Sequence, residues 1–305
     1  MRIVLFGQAA FAEKVLDGLV ARGHDVVAVY CPPDAGPKPD PLKGRAAALA
    51  LPVHQHATLK GADIAAEVAG YAADLGVLAY VTQIIPQAVF DAPRRGSICF
   101  HPSLLPRYRG GSAIPWQIIK GETRSGVSVF WVDPGIDTGP LLLQREAPIG
   151  LDDTGASLYY GTLFQLGVAA VLDAVEQIAA GTAPRQPQDE SQATYDPLCR
   201  DEHARVDWRR PVAEVYNQIR GCDPQPGAYV VRGADKIRLF DARRVDAAGT
   251  APGRIAAVGA DGIIVGASGG AIRIGRLRVG SQKLAASEAV AQLGLGVGAA
   301  VGDEA

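Results

Sequence analysis

The residue whose type and position are best suited to catalysis is His101, which follows an apolar, strand-like run. Residues 97–111 read SICFHPSLLPRYRGG. A proline disfavours helical backbone geometry at the residue before it, so Pro102 keeps His101 extended at the end of the predicted strand. An imidazole titrates near neutral pH and is the side chain most often used for proton transfer. The residues alone leave open whether His101 has that role or is a hydrogen-bonded histidine beneath a loop.

A second stretch supplies a carboxylate that suits this histidine. Residues 131–142 read WVDPGIDTGPLL and place Asp133 and Asp137 in a glycine-rich loop after a strand. Aspartates of this kind often only form turns, which is the expected role of Asp133. A carboxylate beside a histidine orients the tautomer of the ring and favours proton transfer. We therefore predict that His101 and Asp137 work as a pair.

Other motifs with known chemistry are absent or weak. The sequence contains no G-x-G-x-x-G or G-x-x-x-x-G-K-[ST] motif, so it gives little support to a dinucleotide site or a P-loop. His54 and His56 form an H-x-H pair, but no carboxylate or cysteine is adjacent in the sequence, and we predict no metal site. The four cysteines show no C-x-x-C spacing, which argues against a zinc knuckle and a disulfide framework.

The elements that position these residues alternate between strands and helices. Apolar strand-like runs at residues 2–6 and 25–30 flank a helical pattern, and further runs follow at 51–53, 75–80, 98–100 and 127–132. Residues 156–180 form a long apolar helical pattern. This order predicts an α/β fold with an open, mostly parallel sheet, in which ligands collect beyond the carboxyl ends of the strands.

The pattern changes after Gly181. Residues 183–202 are polar and rich in proline, which is typical of a linker, and short strands separated by glycine turns follow from about residue 228. We predict a catalytic domain at 1–182, a linker at 183–202 and a smaller OB-like β-barrel domain at 203–305.

The bulk composition narrows the class of protein. The chain has 305 residues, of which 48% are hydrophobic and 20% charged, and its formal net charge is −2. There is no global basic excess for nucleic acid, no signal-peptide layout and no uninterrupted apolar run of about 18 residues. We expect a soluble cytoplasmic protein without a membrane partner.

The two stretches that carry His101 and Asp137 together resemble the motifs of a known family. HPSLLPRYRGGSAIPW and DPGIDTGPLLLQ are similar to the paired motifs of the folate-dependent formyltransferase family. The likeness runs over about residues 1–229 and is strongest to the N-terminal hydrolase domain of 10-formyltetrahydrofolate dehydrogenase. The β-rich segment beyond it weakly resembles the C-terminal barrel of that family. The resemblance implies 10-formyltetrahydrofolate as co-substrate and no metal.

The resemblance also assigns roles residue by residue. The catalytic histidine of the family falls on His101 and its aspartate on Asp137. The implied folate-contacting residues lie in two loops and are Gln83, Ile84, Ile85, Ser103, Leu104 and Leu105.

One position departs from the family pattern. The transferases commonly carry asparagine two residues before the histidine, where this chain has Cys99 and where the dehydrogenase has an apolar residue. An asparagine amide donates to the oxyanion of a tetrahedral intermediate, and losing one such donor costs about 3 kcal/mol. We interpret Cys99 as a small core residue. The alternatives are that its thiol is a weak hydrogen-bond donor or that the position is adapted to another acceptor substrate. A role as nucleophile is disfavoured because the flanking residues are apolar and would raise the pKa of the thiol.

The function that the resemblance implies is formyl transfer from 10-formyltetrahydrofolate to an amine through a tetrahedral intermediate. Three alternatives stay open: hydrolysis, with water as acceptor; formylation of methionyl-tRNA; and non-catalytic folate binding. The loop at residues 32–45 is short and weakly basic, which disfavours tRNA, whereas the arginines of the β-rich segment keep that alternative open. These arginines are Arg232, Arg238, Arg243, Arg244, Arg273, Arg276 and Arg278. One-carbon metabolism is the expected setting.

Overall fold

The computed structural model describes residues 1–246 and 249–303 of the chain. Its strands are β1 Arg2–Gly7, β2 Asp25–Cys31, β3 Val53–Gln55, β4 Leu75–Ala79, β5 Ser97–His101, β6 Arg124–Trp131, β7 Leu141–Pro148, β8 Tyr229–Arg232, β9 Asp235–Val245, β10 Ile255–Gly259, β11 Gly262–Ala267, β12 Gly270–Val279 and β13 Gln282–Ala285. Its α-helices are α1 Ala9–Ala21, α2 Pro41–Ala48, α3 Ala62–Gly70, α4 Gln87–Phe90, α5 Ala113–Ile119, α6 Gly155–Leu158, α7 Phe164–Ala179, α8 Asp201–Ala204, α9 Val212–Gly221 and α10 Ala286–Gln292. A π-helical turn lies at Tyr159–Leu163 and a 3-10 turn at Glu190–Gln192.

The first sheet has seven strands in the order β3-β2-β1-β4-β5-β6-β7. Neighbouring strands from β3 to β5 run parallel, and β6 is antiparallel to β5. The predicted α/β fold with a mostly parallel sheet is confirmed. Every residue of β4 is buried, as expected of a parallel strand covered on both faces.

The edge strand β7 was not anticipated from the sequence. Its residues LLLQREAP mix apolar and charged side chains, and their burial alternates after the first two leucines. A half-exposed strand of this kind lacks the continuous apolar run by which the central strands are recognised.

The turn between β1 and α1 explains why the chain has no dinucleotide fingerprint there. A Cβ atom on Gly7 would lie 2.4 Å from the Ala79 carbonyl oxygen, so only glycine fits this close approach. The Ala9 amide donates to both carboxylate oxygens of Asp40, at 3.1 and 2.8 Å. The carboxylate of Asp40 thus accepts the amide hydrogen bond at the start of α1, the position at which nucleotide-binding folds bind a phosphate.

The chain divides into two compact units, and each is built from separate stretches of sequence. The first comprises residues 1–111, 125–147 and 162–196, and the second comprises residues 112–124, 148–161 and 197–305. The boundaries at 182 and 202 remain predictions, because this division interleaves segments that the sequence pattern treats as continuous. Residues 247–248 and 304–305 of the predicted range 203–305 lie outside the described residues.

The second unit contains the predicted antiparallel β-structure. Its sheet has the order β10-β11-β12-β9-β8, and β13 pairs with β12. The core of this unit includes Ile219 of α9, Leu239 of β9 and Ile274 of β12, each with no exposed surface. The helix α9 therefore packs its apolar side against the sheet of its own unit.

One helical stretch, Gly155–Ala179, is long and apolar enough to cross a membrane by length and composition alone. Half of its apolar window is buried inside the protein. Core helices of soluble proteins pass the same test, so this stretch is weak evidence for a membrane span.

Candidate active site

His101 is the last residue of β5 and is almost fully buried, with 5% of its surface exposed. Its Nε2 atom lies 2.7 Å from the backbone carbonyl oxygen of Tyr108 in the following loop. Because a carbonyl oxygen only accepts hydrogen bonds, this contact assigns the ring proton of the neutral imidazole to Nε2. Nδ1 is then the nitrogen that is available to gain or hold a second proton.

Asp137 reaches His101 from the loop between β6 and β7. Its Oδ2 atom lies 3.5 Å from Nδ1 of His101 and accepts a hydrogen bond of 2.7 Å from the Gly110 amide. The predicted pair therefore meets in the structure, although its members are 36 positions apart in the sequence.

The path of this loop follows from the direction of β6. Trp131, the last residue of β6, pairs with Ile98 near the start of β5, while His101 pairs with Ser128. The loop must therefore fold back toward the end of β5 that carries His101. Asp137 has a left-handed backbone conformation with φ 55°, which aspartate tolerates better than most residues.

Asp133 of the same loop is a turn former. Its Oδ1 atom accepts from the Gly135 amide at 3.1 Å and from the Thr138 hydroxyl at 2.7 Å. A Cβ atom on Gly139 would lie 1.7 Å from the Trp131 carbonyl oxygen, so glycine is required where the loop returns to the sheet. The two aspartates thus differ in role: one shapes the loop and the other faces the histidine.

Two residues that sequence reasoning missed hold the loop in place. The Gln188 amide nitrogen donates to the backbone carbonyls of Asp137, at 2.9 Å, and Gly139, at 2.8 Å. Its carbonyl oxygen accepts two hydrogen bonds from the guanidinium of Arg109, which is 7% exposed and also pairs with Glu190. Gln188 lies in the polar stretch that was interpreted as a linker, where a glutamine carries no distinctive signal.

Cys99 projects from the same face of β5 as His101, two residues earlier. Its side chain packs against a small apolar cluster of Leu105, Phe130 and Leu141. Burial, together with the charge of Asp137, raises the pKa of the Cys99 thiol. A neutral, packed thiol supports the interpretation of Cys99 as a core residue and argues against a nucleophile.

The loop that follows His101 is held from within by polar groups. The Ser103 hydroxyl donates to the Arg107 carbonyl at 2.7 Å, and the Ser128 hydroxyl donates to the Ser103 carbonyl at 2.7 Å. Ser103 and Leu105 are buried, whereas Leu104 is half-buried. Of the three predicted contact residues, Ser103 and Leu105 therefore serve the shape of the loop itself.

The second predicted contact segment follows β4. Ile84 is 67% exposed and Ile85 is 8% exposed. Gln83 lines a crevice together with Gln8, Tyr30 and His56. Because β4 and β5 are parallel neighbours, the loops that follow them lie at the same edge of the sheet. An exposed apolar side chain such as Ile84 is suited to contact a flat aromatic ligand.

Comparisons with known proteins place this chain in a family. Residues 1–174 match the sequence profile described as formyl transferase, and residues 199–293 match that of the formyl transferase C-terminal domain. A methionyl-tRNA formyltransferase of Geobacter sulfurreducens is 37% identical over 312 residues, covering 99% of this chain and 97% of that protein. The human cytosolic 10-formyltetrahydrofolate dehydrogenase is 41% identical over 246 residues, covering 79% of this chain and 27% of that protein. The chain thus spans about a quarter of the length of the dehydrogenases that it matches.

Solved structures share the fold. HypX from Aquifex aeolicus in complex with tetrahydrofolic acid superimposes with a TM-score of 0.71 at 24% identity, covering 97% of this chain and 48% of that one. An N-formyltransferase from Helicobacter canadensis, in complex with folinic acid and dTDP-3-aminofucose, has a TM-score of 0.67 at 18% identity, covering 92% of this chain and 99% of that one. The sequence matches, which cover more than half of the chain, confirm the predicted relationship: the chain belongs to the formyl transferase family.

Proposed function

We propose that the protein transfers a formyl group from 10-formyltetrahydrofolate to an amine of a small molecule, with His101 and Asp137 as its catalytic residues. The observation that carries the proposal is the 3.5 Å approach of His101 Nδ1 to Asp137 Oδ2, with Nε2 held by a backbone carbonyl. Family membership and the tetrahydrofolate bound to the related HypX support the choice of co-substrate.

The reaction requires one negative charge to be stabilised and one proton to be removed. When the amine attacks the formyl carbon, the carbonyl oxygen becomes an oxyanion and the attacking nitrogen becomes positively charged. A proton on His101 Nδ1 stabilises the oxyanion, and Asp137 accepts the proton of the nitrogen directly or through a water. The oxyanion then re-forms the carbonyl as the bond from the formyl carbon to the folate nitrogen breaks, and that nitrogen takes the proton that Asp137 had accepted. The burial of His101 strengthens these interactions, because the local dielectric constant is low.

The loops after β4 and β5 are the proposed folate-binding segments. The exposed Ile84 and the half-buried Leu104 offer apolar surface, while Ile85, Leu105 and Ser103 fix the loops that present them. Gln83 adds an amide able to hydrogen-bond a polar ring edge.

Hydrolysis of 10-formyltetrahydrofolate is the second candidate function, and Cys99 is the observation that favours it. A thiol donates only weakly, so the site lacks the amide donor that transferases commonly place there. Water as acceptor is also consistent with the similarity to the dehydrogenases.

Formylation of methionyl-tRNA is favoured by the whole-length similarity to the Geobacter enzyme. The arginines of the second unit argue against the methionyl-tRNA function, because several of them already pair with carboxylates of the protein. Arg238 contacts Asp201 at 3.0 Å, Arg243 contacts Asp152 at 3.5 Å, and Arg276 pairs with Asp241. Cations neutralised within the protein contribute less to binding phosphates.

The test measures release of tetrahydrofolate from 10-formyltetrahydrofolate with no acceptor, with amino sugars or amino acids, and with methionyl-tRNA. We expect release that depends on an added small amine. Release without any acceptor would establish hydrolysis, release only with the tRNA would establish the third function, and folate binding without release would indicate a non-catalytic protein.

A further inference from the structure

A cluster of metal-ligating side chains lies in the first unit, apart from the His101–Asp137 pair. His54 Nδ1 lies 3.2 Å from Glu67 Oε1, and His56 Nε2 lies 3.3 Å from the same oxygen. The three ligand atoms all lie within 4.8 Å of one another. His54 and His56 come from β3 and the residue just after it, and Glu67 from α3. The helix thus provides the carboxylate that is absent from the sequence around the H-x-H pair.

The two distances to Glu67 Oε1 are close to the separation of neighbouring ligands around a zinc ion. Zinc binds imidazole nitrogen and carboxylate oxygen at about 2.0–2.2 Å in tetrahedral geometry, which separates two ligand atoms by about 3.3–3.5 Å. Charge-assisted hydrogen bonds between nitrogen and carboxylate are shorter, at about 2.7–2.9 Å. Both contacts to Glu67 Oε1 therefore resemble two edges of a coordination tetrahedron more closely than two strong hydrogen bonds.

The surroundings of His54 complete the pattern of a metal ligand. Its other nitrogen, Nε2, lies 2.6 Å from the Tyr71 hydroxyl. Ligating histidines are commonly oriented by a hydrogen bond from the ring nitrogen that does not bind metal. Tyr30 stacks on the His54 ring with a centroid distance of 4.7 Å and an interplanar angle of 16°, which restrains the ring further.

Both imidazoles and the carboxylate are partly exposed to solvent. The two imidazole rings are nearly parallel, at 8°, with centroids 6.2 Å apart. The exposed fractions of the side chains are 22% for His54, 31% for His56 and 33% for Glu67, so an ion in solution has access to the cluster.

We propose that His54, His56 and Glu67 form a binding site for a divalent transition-metal ion, with zinc as the best fit. The set of two histidines and one glutamate leaves a fourth position for water or for an anionic ligand. His56 also lines the crevice that contains Gln8 and Gln83, so the metal lies at the wall of that crevice. Metal binding at this cluster requires no step of the formyl transfer reaction.

The test is titration of the chelator-treated full chain with Zn²⁺ by isothermal calorimetry, followed by the absorption spectrum with Co²⁺ in place of zinc. We expect one Zn²⁺ per chain, a tetrahedral Co²⁺ spectrum and no binding of Mg²⁺, which prefers oxygen ligands. Glu67→Gln and His56→Ala should each lower the affinity at least about 100-fold, whereas Tyr71→Phe, which removes only the orienting hydroxyl, should lower it about 10- to 100-fold.

His203→Ala is the matched control, because His203 has the same exposure as His54 and lies near one glutamate, Glu202, at 3.9 Å. This variant should bind zinc as the wild type does, and circular dichroism should show that all variants are folded. Absence of zinc binding, or binding that survives both Glu67→Gln and His56→Ala, would overturn the proposal. The first result would identify the cluster as a hydrogen-bonded network in which Glu67 accepts from both imidazoles.

Discussion

Asp137 Oδ2 lies 3.5 Å from Nδ1 of His101, while Nε2 of the same ring lies 2.7 Å from the Tyr108 carbonyl oxygen. One nitrogen is thus committed to the backbone, and the other is directed at a carboxylate. Because the two ring nitrogens have different partners, the neutral ring has a fixed tautomer and exchanges protons at a single atom, Nδ1. The proposed reaction depends on that atom and on the carboxylate beside it.

Replacing Asp137 by asparagine should slow the chemical step without preventing folate binding. The amide retains an oxygen to accept from Gly110 but cannot take a proton from the attacking amine. We expect the single-turnover rate to fall about 10²- to 10⁴-fold, the usual contribution of general base catalysis. Asp133→Asn is the matched control, because asparagine also forms such turns. An unchanged rate in Asp137→Asn would remove Asp137 from the mechanism.

Gln188→Ala should lower the turnover number without a comparable loss of stability. The variant removes the donor to the Asp137 and Gly139 carbonyls, so the carboxylate is free to shift relative to His101. A displacement of about 1 Å at a catalytic group costs up to about 100-fold in rate. Steady-state kinetics should show a lower kcat and a nearly constant KM for the folate. Gln192→Ala, on the exposed 3-10 turn nearby, should behave as the wild type; an equal fall in both variants would contradict the positioning role.

Cys99→Ala should retain turnover within about threefold and lower the free energy of unfolding by about 1 kcal/mol, the cost of a small cavity. Burial raises the pKa of this thiol, so it remains protonated at neutral pH and should resist alkylation by iodoacetamide in the native protein. Peptide mapping after alkylation, combined with kinetics of the variant, checks both points. Rapid alkylation of Cys99 that abolishes turnover, with an inactive Cys99→Ala, would instead indicate a nucleophile.

Much of this arrangement was predictable from the sequence because it depends on local rules. Pro102 fixes the geometry of His101, the apolar runs mark the central strands, and the motif pair identifies the family. The role of Gln188 depends on tertiary contacts with a loop about 50 residues earlier, which no local pattern encodes. Likewise, Glu67 meets His54 only through a tertiary contact between α3 and β3. The strand β7 was not predicted because its burial alternates and it therefore lacks a continuous apolar run.

Asp201 provides a prediction about acid stability in the second unit. Hydrogen bonds from Arg238 and Lys236 lower the pKa of its carboxyl group below the ordinary value of 3.8. The ionised carboxylate is therefore favoured in the folded state and stabilises it. This stabilisation is fully present above the pKa of the unfolded chain, about 3.9, and is lost as the pH falls through the pKa of the folded state. Because the carboxylate is 43% exposed, solvent screening limits this contribution to about 1 kcal/mol or less.

Urea unfolding of Asp201→Asn and wild type checks this expectation. The difference in unfolding free energy should be measurable at pH 7 and should shrink below about pH 4. Asp261 is highly exposed and lies 3.9 Å from Arg273, so Asp261→Asn should stay within about 0.5 kcal/mol of wild type at both pH values. A difference for Asp201→Asn that grows toward low pH would refute the assigned sign.

The most direct test of the proposed function is a rapid-quench, single-turnover assay of His101→Ala with saturating 10-formyltetrahydrofolate and the acceptor identified for the wild type. Thermal unfolding and folate binding should show a folded protein that still takes up its co-substrate. We predict that formation of tetrahydrofolate falls by at least about 10²-fold, because an alanine side chain cannot hold the proton that the imidazole holds at Nδ1. Turnover at the wild-type rate in this folded, folate-binding variant would show that the chemistry does not depend on His101.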